Sequence, residues 1–193
     1  MIFNESNNGS NKLNGNFVDM DSLINNVKAE DNRNLRLTKT FQWLYVGMFI
    51  LYTGMMFFPY PEIPIIKRIS QVFFIASMIA FAIIFRYGFK EYKNIDYSLP
   101  VIEMLRNAAK RYQFKIKKLL TLLIPIFLLD VGLTLSFYND LLPLEPLNRV
   151  LLIQAIYIPV MTISAVIGYF VWRSRQKPLR DNALKLIEEL ESN

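Results

Sequence analysis

One carboxylate in the middle of an apolar stretch is the first candidate for chemistry in this sequence. Asp130 lies eleven residues beyond Leu119, where a long apolar run begins. At about 1.5 Å per residue this is roughly 16 Å into a hydrocarbon core about 30 Å thick, near its midplane. Inserting such a charge costs about 2.5–3.5 kcal/mol, so a functional role is the default hypothesis. We expect Asp130 to be protonated or hydrogen-bonded and to face Gln154 or Tyr157, which lie at a comparable depth in a later run.

Two roles for Asp130 remain open. It is either a polar clamp between two membrane helices or part of a proton or cation relay. A relay normally needs a second ionisable group, and the apolar runs offer none at that depth, so the clamp is favoured. The chain has no cysteine and no histidine, which removes thiolate chemistry and the commonest general base and metal ligand. No catalytic, cofactor or metal site is predicted, and we interpret the chain as non-enzymatic.

A basic segment, residues 86–118, is the second candidate, because it holds nine Lys and Arg residues between two pairs of apolar runs. From Leu99 onward its apolar residues recur at spacings of three and four, which is typical of an amphipathic helix. Residues 101–120 contain no helix breaker, so two outcomes stay open: a break at residues 115–118, or one helix from about Leu99 to Tyr138. In that case a partner bound to the basic helix would shift Asp130. The stripe consists of Val101, Leu105, Ala108, Tyr112, Ile116 and Leu119.

Three interpretations of this basic helix compete. The first is a simple anchor whose stripe packs on a neighbouring span or on another copy. The second is a docking surface for a soluble cytoplasmic protein, through Glu103, Arg106, Lys110, Arg111 and Lys115. The third is binding of anionic lipid headgroups, each basic residue contributing about 1 kcal/mol near such a surface, through Lys110, Arg111, Lys115, Lys117 and Lys118. Nucleic acid is the least favoured ligand, because no RNA-binding motif accompanies the charges.

Four apolar runs are long enough to place these residues in a membrane. The 193-residue chain is 53% hydrophobic and 14% aromatic, and its long uncharged runs point to the membrane class. We predict an all-α polytopic membrane protein embedded in the lipid bilayer. Its four transmembrane helices are expected at about 41–58, 66–85, 119–138 and 150–172.

The distribution of Lys and Arg predicts the orientation. The arm before the first span, the central segment and the tail carry five, nine and five, whereas the two short turns on the other side carry two and one. Both termini are therefore expected in the cytoplasm, with the protein in the cytoplasmic (inner) membrane. We predict a largely disordered arm over residues 1–40, a membrane domain over 41–172 that includes the loop 86–118, and a C-terminal helix over 173–193. A short amphipathic helix after residue 18 is the alternative for part of the arm.

The two predicted hairpins also resemble each other. Each has a proline-rich outer turn with a glutamate, so an internal duplication is an open alternative to shared membrane constraints. Small residues such as Ala76, Ser77 and Ala80 in the second span allow close helix contact, and we expect a homo-oligomer.

Residues 90–114, KEYKNIDYSLPVIEMLRNAAKRYQF, carry a resemblance. Placed between two apolar pairs, they resemble the cytoplasmic loop of small four-span bacterial membrane proteins encoded beside extracytoplasmic-function sigma factors. The resemblance implies a regulatory or accessory role with a sigma factor as candidate partner, and it assigns no site residue. The leading hypothesis is thus a membrane-anchored regulator or scaffold for a soluble partner. The alternative is a small channel or transporter component that uses Asp130.

Overall fold

The protein is all-helical over the residues that its computed structural model describes, 20–57, 64–141 and 144–192. Three helical stretches are long and apolar enough to cross a membrane: α2, α4 and the 47-residue rod that α5 and α6 form together. A π-helical turn at Trp172–Gln176 joins the two halves of that rod. The helices are α1 (Met20–Phe57), α2 (Ile65–Lys93), α3 (Val101–Tyr112), α4 (Ile116–Phe137), α5 (Pro146–Val171) and α6 (Lys177–Ser192).

Helices α1 and α2 pack along each other in opposite directions. A ladder of stacked aromatic rings joins them. Residues later in α1 stack on residues earlier in α2, as antiparallel helices require. Such ring pairs add about 0.5–1.5 kcal/mol each to the burial of their area. The ring centroids lie 5.2 Å apart for Phe41 and Phe85, 4.6 Å for Tyr45 and Phe81, and 5.4 Å for Tyr52 and Phe74.

Helix α4 lies against the other side of α2. A Cβ atom on Gly132 would be 3.3 Å from the ring of Phe74, so the glycine sets this close approach. Ser77 Oγ donates a hydrogen bond of 2.8 Å to the carbonyl oxygen of Pro125 across the same contact. Helix α5 meets α4 but has no buried residue, so it is the least packed member of the row α1, α2, α4, α5.

A second unit, which we call the cap, consists of residues 20–38 of α1 together with α3 and α6. It lies at the end of the row where α2 ends and α4 begins. Each contributing segment is mostly polar but turns one apolar face inward, and the three faces bury one another. The core consists of Leu23, Val27, Met104, Leu105, Ala108, Ala109, Tyr112, Ala183, Leu186 and Ile187.

The predicted disordered arm is wrong for residues 20–40. They form the first half of α1, in one helix with the predicted first span. A short helix alone in water is marginal, but burial of Leu23 (2% exposed) and Val27 (0%) in the cap stabilises this one. The disorder predicted for residues 1–18 lies outside the described residues.

Of the two outcomes left open for the basic helix, the structure shows the break: the helix that follows Pro100 does not continue to Tyr138. The backbone is extended at Gln113 (ψ 132°) and Lys115 (ψ 107°), so α3 and α4 are separate helices. The apolar stripe accordingly ends at Tyr112, which is fully buried, whereas Ile116 is 64% exposed and belongs to the apolar surface of α4. This break removes the physical basis for moving Asp130 through one rigid helix.

Candidate functional site

A buried carboxylate joins two of the three segments of the cap, α1 and α3. Asp31 of α1 is 2% exposed and accepts hydrogen bonds from three side chains. Tyr112 donates its hydroxyl to Asp31 Oδ1 at 2.8 Å. Arg111 Nη2 and the hydroxyl of Tyr97 donate to Oδ2 at 2.8 Å and 3.0 Å. The network therefore connects α1 with α3 and with the loop that precedes α3.

The electrostatics of this network explain its composition. The side chains of Asp31 and Arg111 are only 1% and 12% exposed, so both charges have lost most of their hydration. A buried ion pair is tolerated when further hydrogen bonds satisfy its remaining lone pairs, and here the two tyrosines supply them. Burial, followed by the nearby Asp31 charge, raises the pKa of both Tyr97 and Tyr112 above the ordinary value. Both phenols thus remain neutral donors at physiological pH.

The network is also tied to the row of long helices through Trp172. The indole Nε1 donates a hydrogen bond of 2.9 Å to the carbonyl oxygen of Tyr112. The ring of Phe114 lies 5.1 Å from the Trp172 ring, and Tyr169 completes the cluster. Trp172 is the first residue of the π-helical turn, a rare feature that is frequent at functional sites. The end of α5 is thereby fixed to the end of α3.

The residues predicted to contact a partner fall into two groups. Arg111 does not belong to the exposed surface, because it lies inside the cap against Asp31. Glu103, Lys110 and Lys115 are exposed, and so is Arg106, which forms an ion pair of 2.6 Å with Glu191 of α6. A groove of about 270 Å³ between α3 and α6 is lined by Arg106, Ala109, Lys110, Gln113, Arg180 and Leu184.

The polar residues predicted inside the spans meet between α4 and α5. Gln154 Nε2 donates a hydrogen bond of 2.7 Å to Asp130 Oδ1 and lies 3.3 Å from Thr134 Oγ1. Tyr157 does not contact Asp130 through its hydroxyl, which donates at 2.7 Å to the carbonyl oxygen of Ile126. Both contacts hold the loosely packed α5 against α4, as a polar clamp would.

Asp31, Tyr97 and Trp172 were not predicted as site residues. One signal does point to Asp31: it continues the helical spacing of Leu23 and Val27 and therefore lies on the same face. A charged residue at that position, beside Glu30 and Arg33, looks like part of a solvated helix until its partners on α3 are known. The contact with Arg111, 80 residues later, has no signature within either segment.

Comparison of the chain with protein-family models, with curated proteins and with solved structures found no match. The function therefore has to be inferred from the geometry of the chain itself.

Proposed function

We propose that this protein is a non-enzymatic, membrane-anchored scaffold or regulator whose cap docks a soluble cytoplasmic partner. The observation that carries the proposal is the cap itself. Three segments remote in sequence bury a core of their own and leave a basic groove open to solvent. Holding the spans together does not require such a unit, since α1 already packs on α2 and α2 on α4.

We propose four spans, with α1 as the additional one. The first half of α1 lies in the cap. Helix α2 runs antiparallel to α1 and begins at the end of the row that is farthest from the cap. Helix α1 must therefore run nearly the whole length of α2. The Lys and Arg bias of nineteen against three supports a cytoplasmic cap with both termini inside. The proposed membrane is the bacterial inner membrane, which the resemblance of residues 90–114 implies.

The groove between α3 and α6 favours a partner with an acidic amphipathic segment. Lys110, which forms no ion pair with another described residue, supplies positive charge, whereas Arg180 is ion-paired with Asp181 at 2.6 Å. Leu184, 49% exposed, supplies an apolar contact. A helix laid in a groove is recognised by this combination of apolar anchors and complementary charge. A sigma factor is the candidate that the resemblance of residues 90–114 implies.

Site-specific photocrosslinking in cells tests this proposal. A photoreactive residue at Gln113 or Leu184 is expected to capture one soluble protein, and Lys110→Glu is expected to abolish the crosslink. Lys185→Glu makes the same charge change on α6 outside the groove, at a side chain that is 58% exposed, and serves as the matched control. A crosslink that survives Lys110→Glu, or that Lys185→Glu abolishes equally, would contradict the assigned groove, and the absence of any soluble crosslink would contradict the function.

Self-association through α5 is a further part of the proposal. No residue of α5 is buried, and no atom lies within 4 Å of a Cβ built on Gly168. Ser164 lies one turn earlier on the same face, which gives the small-residue spacing that membrane helices use for close contact. Photobleaching of single labelled molecules in nanodiscs is expected to show more than one copy, and fewer copies for Gly168→Leu.

The second candidate function is a channel or transporter component. The observation that favours it is the Asp130 carboxylate bonded to Gln154 between two spans. Proton or cation flux into liposomes that disappears in Asp130→Asn would support this alternative. Flux that is absent, or unchanged by the substitution, would leave Asp130 as a clamp.

A further inference from the structure

A second depression beside α3, which shares Lys110 with the groove, has the features of a ligand site. It encloses about 330 Å³, within the range of small-molecule pockets. The end of α2, the loop before α3 and the first residue before α4 form its walls. Its polar lining consists of Glu91, Asn94, Asp96, Asn107, Lys110, Arg111 and Lys115.

Among the residues that the structure describes, the lining of this depression holds more cationic side chains without a carboxylate partner than carboxylates without a hydrogen-bond partner. Within the described part of the chain, Lys110 and Lys115 form no ion pair. Arg111 gives Nη2 to Asp31, but its Nε is a buried donor without an acceptor among those residues. Because this N–H is shielded from solvent, the cationic donors that a ligand in the depression can reach are Lys110 and Lys115.

The two carboxylates of the lining are already engaged. Glu91 pairs with Lys118 at 2.7 Å. Asp96 accepts from the backbone N–H and the hydroxyl of Ser98 at 2.8 Å and 2.6 Å. These hydrogen bonds also hold the pKa of Asp96 below its ordinary value, so it remains an anion. Lys110 and Lys115 thus carry the positive charge that no ion pair with a described residue compensates, and the negative charge of Asp96 lies in the same lining.

We propose that this depression binds a phosphate group, with Lys110 and Lys115 as the charged contacts. Phosphate oxygens accept several charge-assisted hydrogen bonds at once, which matches this set of donors. Lys115 directly precedes the apolar helix α4, so the site lies at the level where lipid headgroups meet the protein. The phosphate therefore belongs either to an anionic lipid or to a soluble phosphorylated compound. This inference does not depend on the soluble partner proposed above.

The test uses the full chain in phosphatidylcholine nanodiscs. In one arm inorganic phosphate is titrated in by calorimetry, and in the other phosphatidylglycerol is added and the retained lipid is counted by native mass spectrometry. Lys110→Gln with Lys115→Gln is expected to weaken binding by about 25-fold, about fivefold for each charge. Asp96→Asn is expected to tighten binding about fivefold, because the opposing charge is removed.

Lys185→Gln, which neutralises a lysine outside the depression, is the control and is expected to change binding by less than twofold. Binding in the phosphate arm assigns a soluble ligand, and binding in the phosphatidylglycerol arm alone assigns a lipid. The site is overturned if neither probe binds, if the double variant binds like the unaltered protein, or if Lys185→Gln weakens binding as much as the double variant does.

Discussion

Replacing Arg111 with methionine should open the cap. The substitution keeps an unbranched apolar stem but removes the guanidinium, which leaves the Asp31 carboxylate buried without its cation. Breaking a buried ion pair from one side costs about 3–5 kcal/mol. Tyr97 and Tyr112 still donate to Asp31, so we expect the lower end, about 3 kcal/mol. This corresponds to a rise of about 10²-fold in the fraction of molecules with an open cap.

Cysteine labelling measures this opening directly, because the chain has no native cysteine. Ala108 of α3 and Ala183 of α6 are both fully buried, so a single cysteine at either position reacts with maleimide only when the cap opens. Arg111→Met is expected to accelerate labelling at both positions by about 10²-fold. Arg106→Met is the matched control: it removes an ion pair whose side chains are 53% and 51% exposed, and exposed pairs contribute about 0–1 kcal/mol.

Equal labelling rates in Arg111→Met and in the unaltered chain would refute the interpretation that the ion pair of Asp31 and Arg111 holds the cap closed. Acceleration at Ala108→Cys without acceleration at Ala183→Cys would refute the cooperative packing of α3 on α6.

Three further predictions concern the spans and the cap. Asp130→Asn is expected to leave thermal stability in detergent unchanged, since an asparagine still bonds Gln154, whereas Asp130→Leu should lower stability by about 0.6–1.7 kcal/mol. Gly132→Leu should separate α2 from α4 at a cost of about 1–3 kcal/mol, and Gly168→Leu, in open space, should not affect monomer stability, both measured by thermal melting. Burial raises the pKa of Tyr112 above 10.0, so the neutral phenol stabilises the folded cap fully below that pH. This contribution to the free energy of unfolding is lost as the pH rises further, and faster hydrogen exchange in α3 should show the loss.

The membrane helices were largely predictable because each carries its signal within one continuous apolar run. Helices α2, α4 and α5 cover the predicted second, third and fourth spans to within a few residues at most ends. The contact between Asp130 and Gln154 followed from counting depth along two helices, since both residues must lie at the same level of the row.

The cap could not be predicted in the same way. Leu23 and Val27 make too short a stripe to indicate a stable helix, and their burial depends on Leu105 and Leu186, which lie far along the chain. The helical spacing of apolar residues around Tyr112 did predict α3. The same spacing continued to Ile116, because nearly every residue of a span is apolar and so fits any period. Only tertiary packing shows that Tyr112 belongs to the cap and that Ile116 belongs to the row of long helices.

Single-cysteine topology mapping in intact cells tests the central claim that residues remote in sequence form one cytoplasmic cap. Cysteines at Asn32, Glu103 and Glu188, which are exposed positions on α1, α3 and α6, should resist a membrane-impermeant maleimide until the cells are permeabilised. A cysteine at Asn148, at the opposite end of the row, should react from outside. Labelling of any one cap position from outside, while the others remain protected, would contradict the account.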